Sequence, residues 1–103
     1  MRIHIVCGAG ASSTFVALRV RRSAAGRGLF ALVTAGNESD LADRLDAIDV
    51  VLVGPHLAGG FAAIEAGALR HGAAARLLPD TVFAARNGED ALDLAIDAAA
   101  ARA

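Results

Sequence analysis

Residues 50–53 read Val-Val-Leu-Val and are closed by Gly54-Pro55. A run this short, built from β-branched and Leu side chains and bounded by turn residues, is the pattern of a strand buried on both faces. Such a strand needs a helical layer on each side of its sheet. This one segment therefore points to an α/β domain with a parallel sheet.

The flanking residues supply the alternation. Ile3–Val6 reads as a first strand interrupted by His4, and residues 12–25 as a helix with Val16, Val20 and Ala24 on one face. Gly26 and Gly28 stop that helix, and Arg21, Arg22 and Arg27 sit near its negative end. Residues 29–34 form a second strand, and 38–45 a short helix capped by Asn37 or Ser39. A helix over 57–70 carries Leu57, Phe61, Ile64 and Ala68, and residues 76–78 form a weaker fourth strand closed by Pro79. Residues 81–88 read as a loop or short turn. The last helix, 89–102, puts Leu92, Ala95, Ile96 and Ala99 inward and Asp90, Asp93 and Asp97 outward. Four β-α units predict a four-stranded parallel sheet, order 2-1-3-4, with helices on both faces, a phosphatase- or flavodoxin-like α/β fold. The C-terminal ends of strands one and three, at Cys7 and Gly54-Pro55-His56, then open on one crevice, where such sheets bind ligands.

Composition narrows the chemistry. The 103 residues suit one domain, expected over 1–103. The net charge of −1 argues against a nucleic-acid partner. Every basic residue is Arg, so Lys-based Schiff-base chemistry is excluded. With neither Trp nor Tyr, an aromatic platform for sugars or bases is not expected. A single Cys allows no internal disulfide and no cysteine zinc cluster, and the three His show no metal-ligand spacing. No metal and no cofactor are expected. No apolar run approaches a membrane span, and the N-terminal residues lack a signal-peptide pattern, so a cytoplasmic location is expected.

The chemistry concentrates in Cys7-Gly8-Ala9-Gly10-Ala11-Ser12-Ser13-Thr14. A Cys ends the first strand, small residues follow, and hydroxyls open a helix. Small residues let successive backbone N–H groups curl round an anion, and the helix N-terminus adds partial positive charge. Ser12, Ser13 and Thr14 offer hydroxyl donors. That field favours the thiolate and would equally hold a phosphoryl group on the sulfur. A lone Cys beside a tight turn is more often a small core residue; the Gly-x-Gly-x-Ser-Ser-Thr context favours the cradle. The turn is no Walker loop, because no Gly-Lys-Ser follows. A Cys-x5-Arg phosphatase loop needs a guanidinium at position 13, which is Ser.

Cys7-x-x-Gly10-x-Ser12-Ser13-Thr14 after an Ile-Val strand resembles the phosphocysteine loop of enzyme IIB in the sugar phosphotransferase system. The lactose/cellobiose (chitobiose) branch is the most similar. Residues 49–58, Asp-Val-Val-Leu-Val-Gly-Pro-His-Leu-Ala, resemble that branch's third strand, and Leu78-Pro79-Asp80-Thr81 resembles the segment after its fourth. The resemblance implies a two-step relay. Cys7 would take a phosphoryl group from a phosphohistidine on enzyme IIA, with Gly8 to Ser13 as the cradle. It would then pass the group to a sugar, a disaccharide or β-glucoside, entering through the membrane permease enzyme IIC. The protein would visit the inner face of the membrane through that permease. His56 stands where the family commonly has Gln, and Ala84-Ala85 where it often has Tyr-Gly.

Other residues have plainer readings. His56, beside Cys7 in this topology, is a candidate modulator of the thiol, though a surface His at a helix start is the more ordinary role. His4 and His71 read as structural. Phe15, Arg19 and Arg22 share a helix face that could dock a partner or simply be solvated. Asp80 is a candidate acid for a phosphatase but reads better as a cap. Two other functions stay open: a low-molecular-weight Cys phosphatase-like hydrolase, which lacks its Arg, and a regulatory module that senses phosphate without transport.

Overall fold

The structure is a computed structural model that describes residues 1–7 and 10–101, with residues 10–12 described by backbone alone. Gly8 and Ala9 of the cysteine loop, and the side chains of Gly10, Ala11 and Ser12, thus lie outside the described residues.

Strand β1 is Arg2–Val6, β2 Leu32–Gly36, β3 Val50–Val53 and β4 Ala74–Leu77. They form one sheet in the order β2-β1-β3-β4, with every neighbouring pair parallel. At the C-terminal edge Val6 lies between Gly36 and Val53, and Val53 lies beside Leu77. Helix α1 is Gly10–Gly26, α2 Phe61–Arg70 and α3 Glu89–Ala101. Short 3-10 segments fill Glu38–Asp43, Leu45–Ala47, Pro55–Gly60 and Asp80–Phe83.

The period-two geometry of β1 divides the interior. Ile3, Ile5 and Cys7 join Val16, Val20 and Leu92 in the layer made by α1 and α3. Val6 joins Leu41, Leu45 and Ile48 on the opposite face, where Leu57, Phe61 and Ile64 also pack. All four residues of β3 are fully buried, as the apolar run requires. Each such side chain contributes about 1.5–3 kcal/mol through removal from water.

Several elements differ from the sequence-based expectation. β2 runs on to Gly36, and residues 38–45, read as one short helix, form 3-10 segments at Glu38–Asp43 and Leu45–Ala47. Three further boundaries shift for local reasons. β2 begins at Leu32, not Leu29, because the end of α1 uses up the intervening residues. Gly28 takes a left-handed φ of 70°, and Leu29 N–H reaches back to the Ala24 carbonyl at 2.9 Å. Phe30 is left 94% exposed. β4 begins at Ala74, not Arg76. Alanine is depleted in strands, so Ala74 and Ala75 give no signal in sequence. Here they are buried because β3 lies alongside. The helix expected from Leu57 becomes α-helical only at Phe61. Pro55 starts a 3-10 segment that runs to Gly60, and its last two residues, the poor helix formers Gly59 and Gly60, keep the α-helix from starting before Phe61. Residues 80–83 form another 3-10 turn, in keeping with the reading of 81–88 as a loop or short turn.

Helices α1 and α3 are held at close range. A Cβ added to Gly88 would lie 2.5 Å from the backbone nitrogen of Val20, so this position must be glycine for the loop before α3 to touch α1. Gly88 N–H donates to Ser23 Oγ at 3.1 Å. Arg27, expected near the negative end of α1, instead reaches across to α3, with Glu89 at 3.0 Å and Asp93 at 2.8 Å.

Candidate functional site

The site is built outward from the end of β1. Cys7 follows Val6 directly and is completely buried. It lies where the chain leaves the central strand toward β2 on one side and β3 on the other, the switch point at which open parallel sheets form a crevice.

Gly54 shapes that crevice. Its N–H donates to the Val6 carbonyl at 2.7 Å, which extends the β1–β3 ladder by one step beyond Val53. Its φ of −62° is open to any residue. The need for glycine is spatial: a Cβ there would stand 2.9 Å from Cys7 Sγ and 3.3 Å from Cys7 Cα. Pro55 turns the chain away at once, as the first residue of a 3-10 segment.

Helix α1 points its N-terminus at the same end of the sheet. It runs 17 residues and has no acidic side chain in its first turn, so nothing in the helix cancels its positive end. Of the expected cradle hydroxyls, Ser13 is fully buried and Thr14 is exposed. The phosphoryl-binding roles expected of Gly8, Ala9, Gly10, Ala11 and Ser12 fall outside the described side chains.

His56 is exposed, two residues past Gly54. Its ring stacks on Phe83, with centroids 5.3 Å apart and planes 14° from parallel. Phe83 therefore fixes the imidazole plane at the rim of the crevice, and His56 forms no hydrogen bond among the described residues. The Phe83 carbonyl accepts from Arg19 Nη1 at 3.4 Å, tying the rim to α1. Nothing in the sequence marked Phe83 as the partner of His56, because the two are far apart along the chain and no periodicity relates them.

Asp80 differs from its reading as a cap. The 3-10 turn at 80–83 has Pro79 at its N-cap and no side-chain capping bond; Asp80 is the exposed first residue. Asn37, by contrast, caps the turn at 38–43, its Oδ1 accepting from Asp40 N–H at 3.1 Å. The other two histidines are held by the fold. His71 Nδ1 lies 2.6 Å from Asp46 Oδ1. His4 is buried in β1 with Nδ1 2.6 Å from Thr34 Oγ1 and Nε2 without a partner. Burial, followed by the positive charge of Arg44, pushes the His4 pKa down.

Among the described residues, no three His, Cys, Asp or Glu side chains lie close enough to hold a metal ion. No helix among them is long and apolar enough to cross a membrane.

Two solved structures share this architecture. The lactose-specific IIB component domain of the phosphoenolpyruvate:carbohydrate phosphotransferase system from Streptococcus pneumoniae superposes with a TM-score of 0.85. It covers 95% of this chain and 96% of its own at 13% identity, a likeness of fold. The cellobiose-specific phosphotransferase IIB component from Borrelia burgdorferi has a TM-score of 0.79 and 29% identity over 100% of this chain and 94% of its own. No curated protein matches the chain. The family model for the lactose/cellobiose-specific IIB subunit of the phosphotransferase system matches residues 2–93. A match over the entire sheet, α1, α2 and the start of α3 places the chain: it belongs to the lactose/cellobiose-specific IIB family of the phosphotransferase system.

Proposed function

We propose that Cys7 is the phosphoryl carrier of this IIB subunit. The observation that carries the reading is the position of Cys7. It ends the central strand at the switch point, faces Gly54 and precedes an α1 N-terminus free of acidic side chains.

In the first step Cys7 Sγ, as thiolate, attacks the phosphorus of a phosphohistidine on enzyme IIA. The S–P bond forms, the P–N bond breaks, and the imidazole keeps the electron pair. In the second step a sugar hydroxyl attacks the same phosphorus. The O–P bond forms, the S–P bond breaks, and the thiolate is restored; the hydroxyl proton leaves to a base in the permease complex. Backbone N–H groups at the start of α1 stabilise the anion on either side of the transfer. The lactose/cellobiose family supports a disaccharide or β-glucoside as the acceptor sugar, selected by enzyme IIC at the inner face of the membrane.

The site is built for holding rather than hydrolysing. A Cys phosphatase grips phosphate with a guanidinium six residues after the nucleophile, and here that residue is the buried Ser13. Discharge of the isolated phosphoprotein tests this. Label on Cys7 should persist alone and leave only when permease vesicles and sugar are added. Steady p-nitrophenyl phosphate turnover of about 1 s⁻¹ or more, lost in Cys7→Ala, would make the protein a phosphatase instead.

A further inference from the structure

The C-terminal half of α1 and the loop before α3 frame a cavity of about 430 Å³. Four guanidiniums line it, from Arg19, Arg22, Arg27 and Arg86. Their partners differ. Arg27 is already engaged by two carboxylates, Glu89 and Asp93, a triad with a net charge of −1. Arg19 donates to a neutral carbonyl, that of Phe83. Arg22 and Arg86 are exposed, and neither has an ion pair or hydrogen bond among the described residues.

Three positive charges thus converge on one concavity without a counter-charge of their own, in a chain whose net charge is −1. The only acid in the wall is Glu89, which Arg27 already engages. Cations on the wall of one cavity repel one another, and an anion between them would relieve the repulsion. Guanidinium forks match the oxygens of a phosphate, and two of them can grip one phosphate from different sides. The amide of Asn87 adds a donor at the wall, since its Oδ1 is occupied by Glu89 N–H. The volume falls within the range of small-molecule pockets, about 300–1,000 Å³. It exceeds what a bare oxyanion fills, which leaves room for an organic body.

We propose that this cavity binds a small organic phosphate monoester, its phosphate held by Arg22 and Arg86 with Arg19 as the third cation. The site is separate from Cys7. Arg22 lies twelve residues beyond Gly10, the start of α1, or about 18 Å along the helix axis. The inference does not depend on Cys7 being a phosphoryl carrier.

The test is an NMR titration of the full, isotope-labelled chain with glucose 6-phosphate, glucose and inorganic phosphate. Glucose 6-phosphate should saturate in the millimolar range or tighter and shift the amides of Arg19, Arg22, Arg86 and Asn87. Glucose should leave the spectrum unchanged, and inorganic phosphate should bind more weakly. Arg22→Gln and Arg86→Gln should each lower affinity about tenfold, the loss of one charge-assisted bond. Both side chains are exposed and unpaired, so the unfolding midpoint should hold. Arg70→Gln, exposed on α2, should leave affinity unchanged. Three results would overturn the proposal: no saturable shift, an equal loss in Arg70→Gln, or shifts centred on residues 7–14. Inorganic phosphate binding as tightly as the monoester would overturn the organic part of the assignment.

Discussion

A methyl group on residue 54 would stand 2.9 Å from the sulfur of Cys7, closer than real side-chain carbons come to such an atom. The glycine at the end of β3 is thus a condition for the cysteine at the end of β1. Gly54 N–H is bonded to the Val6 carbonyl, so the backbone cannot withdraw to make room without breaking the last rung of the ladder.

Gly54→Ala should therefore act on both stability and the site. Overpacking of this kind costs about 1–3 kcal/mol, read as a lower urea midpoint. The rate of Cys7 phosphorylation should fall with it, because the sulfur is what the new methyl group displaces. Unchanged midpoint and unchanged phosphorylation would show that the two strand ends are not in contact.

Gly88→Ala tests a different contact. Its Cβ would meet the backbone of Arg19 and Val20 at 2.5–2.7 Å, and backbone cannot rotate aside as a side chain can. The variant should lose about 1–3 kcal/mol of stability. Cys7 lies at the other end of α1, so the folded fraction should phosphorylate at the wild-type rate. Wild-type stability would mean that the loop before α3 does not lie against α1.

His4 predicts a pH dependence of stability. Burial lowers its pKa in the folded protein below the ordinary imidazole value of about 6.5. As pH falls, the unfolded chain takes up the proton first, so protonation favours unfolding. The neutral-His4 contribution is complete above the unfolded pKa, about 6.5, and is lost progressively as pH falls toward the lower folded value. The urea midpoint should drop as pH falls below about 6.5, and the drop should be smaller in His4→Gln. Equal drops in the two proteins would assign the effect to other groups.

How much of this was readable in advance depended on the range of each interaction. Val50–Val53 declared itself because four large apolar residues in a row have few other uses, and the sheet order followed from the alternation around it. Cys7, Gly54 and the start of α1 converged because parallel topology brings the ends of neighbouring strands together. The boundaries that moved were decided by neighbours. Ala74 and Ala75 become strand only because β3 pairs with them, and Leu29 and Phe30 fall outside β2 because Gly28 turns the chain late. The stacking of His56 on Phe83 and the shared cavity of Arg22 and Arg86 join residues from distant segments. No local pattern carries such a relationship.

The central claim is that a phosphoryl group resides on Cys7. Intact-mass measurement after incubation with the general phosphotransferase proteins and a cognate enzyme IIA tests it most directly. The wild-type chain should gain the mass of one phosphoryl group, and Cys7→Ala, folded by its circular dichroism, should gain none. A wild-type chain that stays unmodified beside a working control subunit, or a Cys7→Ala chain that gains the same mass, would contradict the account.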